Sequence, residues 1–275
     1  MPHWKLILTY DGTPFNGWQV QPNLPTVQGT LAEAIHRVTG ETVLPQGSGR
    51  TDTGVHALAQ VATFSLTVPI PAANLHRALN HALPASIRVL SIEPVPEHFH
   101  ARHSALRKTY EYRILPGDRI CSPMLAPYVW PCRFSLDLTI LQQAASHILG
   151  THDFTSFTAN DPDQSTREEQ TPNADPEQTA KAGSLHTPDS RLSTPCFTRT
   201  IYHSIWQHQE DLLIYRITGS GFLHHMVRNL VGTFVHAAAN GTSPDTIPNI
   251  LAARNRSAAG PTAPARGLFL VEVIY

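Results

Sequence analysis

Residues 4–10 alternate apolar with polar side chains, which predicts a β-strand half-buried on one face. The period then changes. Val27, Leu31, Ala34, Ile35 and Val38 fall on one face of a helix, Thr26 stands where a hydroxyl can cap its first turn, and Gly40 stands where it can stop. Residues 60–66 predict a second strand, 74–83 a helix ended by Pro84, and 87–92 a further strand. Tyr110, Tyr112 and Ile114 alternate again, and Leu141, Ala144, Ala145, Ile148 and Leu149 mark a helix after Asp137. Residues 201–206 and 212–217 read as a hairpin around a polar turn, followed by a long helix over 222–239 and a last strand at Leu268–Ile274. The pattern predicts two comparable α/β halves, residues 1–105 and 106–275, each of ordinary domain size.

One segment breaks this regularity. Residues 160–195 contain only Ala174, Ala180, Ala182, Leu185 and Leu192 from the apolar set, too little burial to offset the entropy of ordering, so a disordered insertion is expected there. It also distorts the overall charge. The chain carries a formal charge of −1, but the insertion holds seven acids and three bases, leaving 17 bases against 14 acids elsewhere. Charge therefore does not decide for or against a polyanionic partner.

Several function classes drop out. No run of 18 apolar residues could span a bilayer, and the opening residues enter a strand pattern rather than a signal peptide, so a cytoplasmic location with no membrane partner is expected. Cys121, Cys132 and Cys196 form no CxxC pair and read as reduced thiols. The histidine-rich stretch 97–103 lacks a second ligand group of convincing spacing, so no metal is expected. Neither a P-loop nor a dinucleotide fingerprint is present.

The residues richest in chemistry are Gly47-Ser48-Gly49-Arg50-Thr51-Asp52-Thr53-Gly54-Val55-His56-Ala57, a polar, glycine-rich loop just ahead of a strand. Glycines admit close ligand approach, and a guanidinium near a carboxylate favours the charged form that nucleophilic or basic chemistry needs. Spacing alone equally allows a turn with a local Arg50–Asp52 ion pair.

Beyond spacing, the stretch Gly49-Arg50-Thr51-Asp52-Thr53-Gly54-Val55-His56-Ala57 resembles the GRTDxGVHA loop of the TruA-type tRNA pseudouridine synthases. Further stretches are similar to that family in family order: residues 10–19 with Gln21-Pro22, then 26–31, Phe99-His100-Ala101-Arg102, Lys108-Thr109-Tyr110-Glu111-Tyr112-Arg113-Ile114, residues 222–229 and 263–270. The 160–195 insertion is the main departure.

The resemblance implies an α+β fold in which two similar α/β halves share a mainly antiparallel central sheet with helices packed on it. It implies a homodimer acting on tRNA at positions 38 to 40 of the anticodon stem-loop, without a cofactor. By position, Asp52 matches the catalytic aspartate and Tyr110 the tyrosine that packs on the target base. Arg228 matches the arginine that pairs with the aspartate, Arg50 the residue that intrudes into the RNA, and Leu268 the pocket floor.

Each residue also has a structural alternative. Tyr110 reads equally as a strand aromatic, Arg228 as a helix arginine reaching water, and Leu268 as an ordinary core residue. On a helix, adjacent His224 and His225 would point about 100° apart and could not both face one ligand. His56 reads as a structural hydrogen-bonding residue. Two rival functions remain at this point: a noncatalytic RNA-binding protein on the same scaffold, and a nucleoside or glycoside hydrolase, which would want a second acid or a metal.

Overall fold

Strand β1 (His3–Tyr10) buries every second residue, Trp4, Leu6, Leu8 and Tyr10, as expected of a strand with one face on the core. In the computed structural model, which describes residues 1–159 and 197–275, β1 lies between β3 (His56–Ser65) and β4 (Ile87–Val95), antiparallel to both. The predicted insertion and Cys196 fall outside the described residues. β3 begins at His56 rather than at residue 60. Its first residues gain their strand character from a distant partner, β10 (Leu268–Ile274), through the parallel pairs Phe269 with His56 and Leu270 with Ala57. Local alternation could not reveal that pairing.

The other edge of β10 pairs antiparallel with β5 (Arg107–Pro116), which then pairs with β9 (Leu212–Gly219). β9 forms the expected hairpin with β8 (Thr198–Gln209), and β7 (Gly150–Asp153) ends the sheet. The order is β4-β1-β3-β10-β5-β9-β8-β7, with short β2 (Gln46–Gly47) on β3 and β6 (Trp130–Cys132) on β5. Among the described residues, only the β3–β10 and β5–β6 pairs are parallel. The fold is α+β, a mostly antiparallel sheet with helices packed on it.

Helix α1 (Val27–Thr39) starts and stops where its residues predict: Gly29 N donates to Thr26 Oγ1 at 3.2 Å, and Gly40 adopts φ 76°. Thr26→Ala should lower stability by about 1 kcal/mol with m unchanged, as read from the midpoint of urea unfolding. α2 (Ala72–Ala82) packs on β4, and α3 (Leu138–Ser146), capped by Asp137, packs on β8. Among the described residues, α4 (Met226–Asn240) and α5 (Thr246–Ala253) are the remaining α-helices.

The predicted start of α4 is corrected. The helix begins at Met226, because His225 adopts the left-handed conformation, φ 58°, and residues ahead of it run in as a turn. Most of α4 is buried, with Leu230, Val231 and Phe234 fully enclosed. The 260–263 segment lies so close that a Cβ on Gly232 would sit 1.7 Å from the Pro261 carbonyl oxygen. Ala263 N donates to Arg228 O at 3.0 Å across this contact. Among the described residues, no helix is long and apolar enough to cross a membrane.

Candidate active site

The loop between β2 and β3 is held from several directions by its own sequence neighbours and by β1. Ser48 N donates to Val61 O at 2.7 Å, Ser48 Oγ to Gln60 Oε1 at 2.7 Å, and Gln60 Nε2 to Gly49 O at 2.9 Å. Gln60 is completely buried, so these bonds are shielded from water. Tyr10 OH and Thr51 Oγ1 share a hydrogen bond of 2.8 Å, and Trp18 N donates to Thr51 O at 3.0 Å. Gly54 turns the loop at φ 76° before β3. Asp52 therefore projects from a braced loop, with its side chain 19% exposed.

Arg228, in the first turn of α4, reaches this carboxylate across 176 residues of chain. Its Nη1 donates to Asp52 Oδ2 at 2.8 Å while its Nε donates to Ala263 O at 2.9 Å. The side chain is only 15% exposed, so the reading as a helix arginine reaching water does not hold. The 260–263 segment thus aims the guanidinium that meets the aspartate.

The histidine expectation is overturned as well. His225 Nε2 lies 3.3 Å from Asp52 Oδ2 and His224 Nε2 3.8 Å from Oδ1, so both rings face the same carboxylate, their centroids 4.0 Å apart. The 100° argument fails because neither residue is within the helix, and the left-handed turn at His225 swings both rings to one side. A non-glycine residue held in this conformation beside a charged group is the kind of local strain that functional sites retain. Burial, partly offset by Asp52, holds His225 below the ordinary histidine range.

Asp52, His224 and His225 are also the one metal-ligand grouping among the described residues, and the 97–103 stretch supplies none there. The donor set does not suit a cation. Arg228 already occupies Oδ2, so a metal at that oxygen would meet a guanidinium at hydrogen-bond range.

Tyr110 on β5 and Leu268 at the start of β10 are nearly buried, at 7% and 5% exposed, and both line the same cavity as Asp52, Arg50 and Arg228. Phe222 meets the Tyr110 ring edge-on, with centroids 5.1 Å apart. Burial raises the Tyr110 hydroxyl far above the ordinary tyrosine value, with Tyr10 and Asp52 adding to the shift, so it stays protonated. All five residues singled out in the sequence are therefore brought together.

The cavity measures about 970 Å³. Among the described residues lining it, Asp52 is the one carboxylate, sharing the cavity with the basic side chains Arg50, Arg102, Lys108 and Arg228, and with His100, His103, His224 and His225 besides. A chain of net charge −1 thus sets several bases around one described acid. Among the described residues lining the cavity, no second acid stands by for hydrolase chemistry.

Sequence reasoning missed Lys108, Phe222 and the two histidines as site residues. Lys108 was recoverable, since it precedes Tyr110 by two on a strand and must share its face. His56, expected to be structural, accepts from Gly12 N at 3.0 Å, contacts Pro127 O at 3.1 Å and stacks on Phe269.

A family model described as tRNA pseudouridine synthase matches residues 6–104 and 144–275. The tRNA pseudouridine synthase A of Solibacter usitatus is 45% identical over 271 residues, covering 98% of each chain. That of Rhodospirillum centenum is 42% identical over 276 residues, and that of Moorella thermoacetica 40% identical over 277, each covering 100% of both chains. The chain belongs to the tRNA pseudouridine synthase family.

Proposed function

We propose that this chain isomerises uridine to pseudouridine in the anticodon stem-loop of tRNA, at positions 38 to 40, with Asp52 as the essential carboxylate and no cofactor. The observation that carries this reading is a carboxylate, the one among the described residues of a basic cavity, bound by Arg228 and walled by Tyr110 and Leu268. Family membership supports the reaction class. The reaction breaks the bond from N1 to C1′, turns the uracil, joins C5 to C1′ and releases the C5 proton while N1 takes one up. It is redox-neutral and consumes no second reactant, so its balance asks for no cofactor.

Two routes use the same placement of Asp52: attack on C1′, as in a retaining glycosidase, or removal of the C2′ proton to give a glycal. Both need water kept from C1′, where hydrolysis would leave an abasic site. Tyr110, Phe222 and Leu268 suit that task, with the Tyr110 ring available to pack on the base. Taking the nucleotide out of its stack costs a few kcal/mol, which a planar cation such as Arg50 can offset by stacking and phosphate contact. On this reading the protein works in the cytoplasm as a homodimer. Its units are residues 1–105 and 106–275.

The test is release of tritium to water from unmodified tRNA labelled at uridine C5, with the new pseudouridines mapped in the same sample. Release with modification at 38 to 40 is expected. A folded native chain that binds tRNA but frees no label would instead be a noncatalytic RNA-binding protein.

A further inference from the structure

Lys108 stands two residues before Tyr110 on β5, and both side chains enter the cavity. Its Nζ donates to the carbonyl of Ser48, at the head of the loop that carries Asp52. Gly49 makes room for this approach, since a Cβ there would lie 3.3 Å from Nζ. The carbonyl is neutral and is the one acceptor this ammonium has among the described residues. Two of its three protons are left over.

Among the described residues, the charges that bear on Lys108 share its sign. Arg102 approaches from the segment between β4 and β5 and Arg199 from β8, while His100 and His103 line the same cavity. Burial first, then these two arginines, pushes Lys108 down to about 8. Asp52, the one described carboxylate of the cavity, is engaged by Arg228. A half-enclosed ammonium with one neutral acceptor is costly unless an anion joins it. A compact, full negative charge with several acceptor oxygens answers that need better than the carbonyls of a base.

We propose that Lys108 and Arg102 form a phosphate seat on the cavity wall, which takes an RNA phosphodiester beside the nucleotide at Asp52 and ties it through Ser48 to the catalytic loop. The inference rests on the RNA-binding reading above. An entering phosphate holds Lys108 in its charged form. Below pH 8 the contact is fully present, and as the pH rises through 8 the free lysine loses its proton and affinity falls.

The experiment is equilibrium binding of unmodified tRNA to the native chain, Lys108→Met and Lys108→Arg, across pH 7 to 9 and across salt. Native affinity should fall about tenfold between pH 7 and 9, while Lys108→Arg, permanently charged, stays tight throughout. Lys108→Met should bind weakly at both pH values, its salt slope shallower by about 0.7 to 0.9. A pH-independent native affinity, or an equal alkaline loss in Lys108→Arg, would overturn the seat, and this pair decides alone if Lys108→Met does not fold. Tritium release separates the two readings. Isomerisation with pH-independent binding removes the seat alone, whereas pH-dependent binding without isomerisation removes the catalytic role of Asp52 alone.

Discussion

Asp52→Asn should bind tRNA at least as well as the native chain while losing isomerisation by about 10³-fold or more. The amide fills the same volume, and its oxygen can still accept from Arg228 Nη1, now at 2.8 Å from the carboxylate. What disappears is the negative oxygen that either route requires. Removing the cavity's one described carboxylate also takes away the negative charge beside Arg228, which favours a polyanion. The split between retained binding and lost turnover is the diagnostic feature, measured by single-turnover tritium release beside filter binding. Equal release from variant and native chain would remove Asp52 from the mechanism.

The second large effect is expected far from the carboxylate. Gly232→Ala should cost about 3 kcal/mol of stability or more, because its new methyl would overlap the Pro261 carbonyl oxygen at 1.7 Å and approach the Ala263 amide at 3.0 Å. Both obstacles are backbone, so neither can turn aside as a side chain could. Whatever chain folds must push the 260–263 segment off α4. That movement breaks the bonds from Ala263 N to Arg228 O and from Arg228 Nε to Ala263 O. The guanidinium then loses its aim at Asp52, so the folded fraction should turn over more slowly than native. Urea unfolding and activity per folded molecule test the two effects separately, and native values for both would refute the argument.

How much of this was legible in the sequence depends on the range of the interaction that determines each feature. Thr26 and Gly40 bound α1 through bonds within a few residues, and Leu268–Ile274 is a short apolar run rich in β-branched residues, so each is found where local rules put it. The early start of β3 was hidden because His56 and Ala57 are held as strand by residues 269 and 270. Likewise, nothing near residue 225 announces a left-handed histidine, and that one backbone angle reverses the argument about both rings. The loop around Asp52 was recognisable as a motif, and Arg228, Tyr110 and Leu268 followed by resemblance. Their meeting in one cavity depends on packing across three strands and a helix, which periodicity does not encode.

The place of β10 in the sheet also orders events in time. β1, β3 and β4 can pair among themselves early in synthesis, and β5, β7, β8 and β9 can do so later. The two groups share no strand until the seven residues of β10 slot between β3 and β5, bringing Leu268 with them. A nascent polypeptide therefore carries two open sheet edges and an unfinished pocket while still on the ribosome. It cannot act on a passing tRNA until the segment near residue 270 has emerged.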